Sequence, residues 1–158
     1  MRQIIGFHNP DESYGYLSNW YLSEFTIKNI TFYSMEQYMM YQKAMLFQDI
    51  ITAEQILQTS NQGHIKMLGR SVKNYDDIIW NGMRQLIVYE GLVAKFQQNE
   101  DLHQKLLHTN DAILAECAVQ DRIWGIGLSM TDENRFNISK WRGQNLLGFA
   151  LMQVRNSL

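Results

Sequence analysis

Cysteine and proline each occur once, as Cys117 and Pro10. A lone cysteine excludes an internal disulfide framework and fits a reducing cytoplasm. With one proline and no Ser/Gly-rich stretch, charge block or internal repeat, nothing reads as a linker. One domain over residues 1–158 is expected. No apolar run approaches the roughly 20 residues of a membrane-spanning helix, and no N-terminal stretch joins a basic end to a long apolar segment. The expectation is therefore a soluble, cytoplasmic protein with no membrane partner. Runs of Lys or Arg are also missing and the formal charge is -2, so no broad positive field draws in nucleic acid. His8, His64, His103 and His108 fall in no metal-ligand pattern, and neither a P-loop nor a G-x-S-x-G elbow is present.

What the chain does hold suffices for a real core: 46% of its residues are hydrophobic and only 19% charged. The first thirty residues are turn-rich, with β-type runs QIIGF and TIKNITFY around NPDESYGYLSN. Helical signals follow. Ser34 with Gln37 three residues on predicts a capped helix to about Phe47, with Met35, Tyr38, Met39 and Leu46 as its packed stripe. A second helix is predicted from Asp49 to Gln58, and NQGHIKMLGR reads as a turn or short helical piece. The longest pattern carries Ile79, Met83, Leu86, Ile87 and Val93, and a helix capped by Asn99 carries Leu102, Leu106 and Leu107. AILAECAV alternates and predicts a strand. Asn145 is placed to cap a last helix with Leu147, Leu151 and Val154. The fold class is α+β, helix-rich, with a small β-sheet.

Few residues suggest chemistry. Glu36 and Lys43 are seven apart, on one helix face and about 10 Å from each other along the axis. They could bracket a small ligand, or be two solvated charges. In ECAVQDRIWGIG, Glu116 and Asp121 could protonate a leaving group or orient water; equally, Asp121 could cap a turn and Glu116 could pair with an arginine. Trp124 followed by Gly125 and Gly127 could set a flat ring against bare backbone, or simply pack. Cys117 reads as a small buried hydrophobe.

Taken in order, YGYLSN (14–19), SMEQYMMYQKA (34–44), LGR (68–70), KFQQN (95–99), LLHT (106–109), ECAVQDRIWGIG (116–127) and GQNLLGFALMQVR (143–155) resemble the YbiA-like, or NADAR, family across almost the whole chain. Departures are local: Cys117, Ala118 and Val119 stand where a small residue, Ser and Pro are common, and Asn110 stands where Gly is frequent. The resemblance implies an N-glycoside hydrolase, free of metal and cofactor, that cleaves the bond between ribose C1 and an exocyclic amino nitrogen. The implied substrates are ribosylaminopyrimidine phosphates of riboflavin synthesis, or ADP-ribosylated guanine, including guanine carried on single-stranded nucleic acid.

Under that resemblance the residues acquire roles. Lys43 would attack C1 to form a Schiff base, and Glu36 would position substrate or hold water. Asp121 would shuttle the proton, with Glu116 beside it. Trp124 would stack on the ring in the space left by Gly125 and Gly127. Asn19, Arg70 and Asn145, with the start of the last helix, would grip ribose hydroxyls and phosphate. Lysine and acids are expected to share one hollow. The alternative is a module that binds ADP-ribose or a nucleotide without cutting it.

Overall fold

The computed structural model describes residues 2–158, which form two compact units. The strands are β1 (Ile4–Phe7), β2 (Phe25–Ile27), β3 (Ile30–Phe32) and β4 (Ile113–Glu116). The helices are α1 (Met35–Leu46), α2 (Ile50–Leu57), α3 (Gln62–Arg70), α4 (Asp77–Gln98), α5 (Glu100–Leu107) and α6 (Leu146–Ser157). Helices thus dominate two small sheets, and the class is helix-rich α+β.

The unit Leu22–Asn99 is built on α1 and α4. The run TIKNITFY folds back on itself as the antiparallel pair β2–β3, because Lys28 and Asn29 take φ of 49° and 66°. Positive φ at both central residues is what a two-residue hairpin turn matched to strand twist requires. Phe25, Phe32 and Tyr38 then meet edge and face, Phe32 and Tyr38 at 5.0 Å between ring centroids. Ser34 caps α1 by accepting from Gln37 N at 3.0 Å, while Gln37 Oε1 accepts from Tyr33 N. NQGHIKMLGR is helical, opened by the Asn61 side chain on His64 N.

Two readings of this unit are corrected. The buried face of α4 runs through Trp80, Ile87, Val88, Leu92 and Phe96, whereas Ile79, Met83 and Leu86 are exposed. An apolar set at helical spacing fitted both faces, and burial chose the one with the larger side chains. Asn99 does not cap α5: its amide donates to the carbonyls of Lys95 and Glu24, closing the end of α4.

The other unit joins the described residues up to Tyr21 to Glu100–Leu158. Here β1 and β4 pair in parallel, with Ile5 opposite Leu114 and Phe7 opposite Glu116. The strand predicted from AILAECAV is present, and Leu114, Ala115, Glu116 and Cys117 are all buried, so both of its faces are covered. A parallel pair is covered on both sides: α6 packs on β4, and Ala115 and Cys117 pack with Ile126 and Leu128. Asn110 takes φ 54° just after α5, a left-handed position that Asn tolerates and Gly fills without strain. Among the described residues no helix is long and apolar enough to cross a membrane.

Candidate active site

In the unit Leu22–Asn99 the chemistry gathers on α1. Glu36, in its first turn, is buried, and Lys43, two turns on, is half-buried. The reading of two solvated charges therefore fails. The Lys43 ammonium lies 4.7 Å from the centre of the Tyr75 ring and 5.6 Å from that of Trp80. Ring faces attract a cation yet replace its water. Desolvation by burial pushes the Lys43 pKa down, Glu36 opposes this, and the Arg70 charge adds to it. Arg70 itself ends α3, exposed. A lysine so placed is biased toward the neutral amine, the form that attacks carbon.

In the other unit the carboxyl ends of β1 and β4 lie side by side, releasing His8 from one and the turn after Glu116 from the other. His8 Nδ1 stands 3.3 Å from Glu116 Oε1. Burial raises the Glu116 pKa, His8 partly offsets that, and the neighbouring Asp121 charge raises it again. Glu116 Oε2 is buried with no hydrogen-bond partner among the described residues. Burial plus a second carboxylate is how a protein keeps an acid protonated. Asp121 forms a turn: its Oδ1 accepts from Ile123 N at 3.0 Å and Trp124 N at 2.8 Å. Trp124 is half-buried just beyond that turn. Asn19 is buried in the loop after a 3-10 turn at Gly15–Leu17, and its Oδ1 likewise lacks a partner among the described residues. The Cys117 thiol is buried and pushed up to about 11, in keeping with a packing role.

Three ligand contacts expected from the sequence are corrected. A Cβ on Gly125 would meet the Glu116 and Asp121 carbonyl oxygens at 2.8 and 2.9 Å, so protein backbone fills that space. Gly127 has φ +73°, and a Cβ there would meet Arg142 Cβ at 3.0 Å. Asn145 is fully buried and holds β4: it donates from Nδ2 to Leu114 O at 2.8 Å and accepts from Glu116 N at 3.0 Å. It makes no side-chain cap, and the amides of Leu146 and Leu147 donate to the carbonyls of Ile123 and Trp124. The start of α6 therefore spends its first donors on the chain and not on phosphate.

His8, Tyr75 and Trp80 were not singled out by sequence. The only available signal for His8 was its place directly after a strand-like run, and for the rings their aromatic character.

The NADAR domain family matches residues 6–158. An N-glycosidase of Acanthamoeba polyphaga mimivirus is 44% identical over 122 residues, covering 77% of this chain and 72% of that protein. A riboflavin biosynthesis protein of Vibrio vulnificus is 31% identical along all of this chain, which spans only 39% of its length. The NMR structure of Escherichia coli YbiA superposes with a TM-score of 0.81 at 28% identity, over 99% of this chain and 86% of that one. Sequence and fold agree, and the chain belongs to the NADAR family of YbiA-like N-glycosidases.

Proposed function

We propose that this protein hydrolyses the bond between ribose C1 and an exocyclic amino nitrogen, taking a ribosylaminopyrimidine phosphate as substrate. The observation that carries the reading is Lys43, a desolvated amine over two ring faces with a buried carboxylate on its own helix. Plain ligand binding requires no such amine. The naming of a relative as a riboflavin biosynthesis protein supports the small pyrimidine over ADP-ribosylated guanine. The formal charge of -2 points the same way, since a nucleic-acid substrate favours a basic surface.

The reaction needs electron density at C1 and a proton at nitrogen. Lys43 meets the first need by adding to C1 as the bond to the leaving nitrogen breaks; the bond from C1 to the ring oxygen then opens to give an imine, and water adds to the imine carbon and releases the lysine amine. Glu36 favours the charged form of that amine and orients water. In the other unit, burial and the Asp121 charge raise the Glu116 pKa and suit that carboxyl to donating a proton. Trp124 offers a ring face, and Asn19 and Arg70 offer an acceptor and a cation for ribose and phosphate.

Incubation with a ribosylaminopyrimidine phosphate should release free ribose 5-phosphate, and Lys43→Ala should abolish that release with the fold unchanged. Borohydride added during turnover should leave a reduced adduct on Lys43. Binding of ADP-ribose with no turnover of either N-glycoside would establish the non-catalytic module instead. Parallel assays on ADP-ribosyl guanine, free and in single-stranded DNA, decide the substrate.

A further inference from the structure

We propose that His8 is a positioning residue for the leaving-group acid: it orients Glu116 and neutralises the carboxylate that remains once Glu116 has given its proton away. This rests on the N-glycosidase reading above. It goes beyond it by adding a residue from the first strand, 108 positions from its partner.

The geometry is specific. His8 follows β1, Glu116 ends β4, and the register sets Phe7 opposite Glu116, so the imidazole reaches one oxygen of the carboxyl at 3.3 Å. The His8 side chain is 55% exposed while that of Glu116 is 12% exposed. One partner thus exchanges protons with solvent and the other does not. His8 engages Oε1, which leaves Oε2, a buried oxygen without a protein partner among the described residues, as the one to carry the proton. A buried carboxyl used as an acid must become an anion in a place that disfavours anions. A solvent-reachable imidazole on the opposite oxygen answers that cost at the moment it arises.

The proton balance closes. Glu116 Oε2–H passes its proton to the leaving nitrogen, and the C1–N electron pair goes with that nitrogen, leaving C1 to the attacking amine. His8 takes a proton from solvent and donates Nδ1–H to Oε1 of the new carboxylate. Water then adds to C1, the amine departs with the electron pair of its own bond to C1, a proton of the water returns to Glu116 Oε2, and His8 releases its own to solvent. Net, one water is consumed and the free amine and sugar leave.

Titratable groups facing Glu116 are His8 after β1, Asp121 in the following turn and Cys117 next along the chain. From α6 it meets only the neutral Asn145, since Arg155, the single charged residue of that helix, bonds Thr109. His8 favours the Glu116 anion, so removing His8 must move Glu116 titration upward.

The test uses the intact protein with His8→Gln and His8→Phe. Both should lose roughly ten- to a hundred-fold in kcat with little change in KM, as expected when a hydrogen bond to a charge formed during reaction is removed. The alkaline limb of the rate profile should shift to higher pH. Carboxyl-13C NMR without substrate should show the Glu116 titration midpoint raised in both variants. An unmoved or lowered midpoint overturns the pairing, and a raised midpoint with unchanged kcat overturns its use in catalysis. A wild-type protein that turns over no ribosylamine overturns the N-glycosidase reading and the catalytic role of His8 together, while the NMR titration still reports the pair.

Discussion

Replacing Asn145 separates a strut from a ligand contact. Its side chain satisfies Glu116 N–H and Leu114 C=O on β4, and its backbone sits at φ 54°. In Asn145→Ala both strand groups lose their partners in a place with no water. Each buried unsatisfied group costs about 1–3 kcal/mol, so the pair costs about 2–6. Alanine in the left-handed region adds about 1–2 kcal/mol. The sum, about 3–8 kcal/mol, is a large share of the roughly 5–15 kcal/mol that holds a typical domain together. Asn145→Gly loses the same two bonds without the backbone penalty, and should be less destabilised than the alanine variant by about 1 kcal/mol. Urea unfolding of the three proteins measures both differences, provided the slope with denaturant is unchanged. KM measured on folded protein should move little in either variant. An alanine variant within about 1 kcal/mol of wild type but with a sharply raised KM would refute the strut, and would return Asn145 to the substrate.

Charge changes around Lys43 should act in opposite directions. Arg70→Ala removes a charge that lowers the lysine pKa, so the acid limb of kcat/KM should move to higher pH; Glu36→Gln removes one that raises it, and the limb should move lower. A shift of the same sign in both would refute the electrostatic account. Glu116→Gln should lower kcat by about 10²–10⁴-fold yet stabilise the protein at neutral pH. The folded carboxyl titrates above its ordinary 4.5, so its penalty is absent at low pH and grows as pH rises past that value. Thermal unfolding of wild type and variant should therefore coincide in acid and diverge toward neutrality, and parallel curves would count against a buried acid.

The helices were legible because their signals are local. Ser34 and Gln37, or Asp49 and Thr52, form caps from residues that are neighbours in the chain. Boundaries fell where such caps exist, and failed at Asn99, whose amide serves the end of one helix and not the start of the next. The stripe on α4 shows the limit of periodicity. Ile79, Met83 and Leu86 have helical spacing, but so do Trp80, Ile87 and Leu92, and only packing decides between them. Lys43 and Glu36 were legible as one helix face, whereas the rings that desolvate the lysine come from beyond α3 and could not be placed by spacing.

The acid site needed long-range information of two kinds. Strand register decides which residue lies beside Glu116, and a parallel pair separated by most of the chain leaves no turn from which register could be read. Period-two alternation in AILAECAV identified a strand, but alternation alone describes equally a strand with one wet face. On such a strand Glu116 would be an ordinary solvated carboxylate. In this fold α6 covers β4, and Ile126 and Leu128 pack with its Ala115 and the adjoining Cys117. The same closeness explains the misread glycines. Gly125 and Gly127 are bare so that the chain can return against Glu116, Asp121 and Arg142, and that return completes the wall around the carboxyl. A substituent at residue 125 would push the wall away and admit water, so the backbone that looked like room for a ligand ring is what keeps Glu116 dry and its pKa raised.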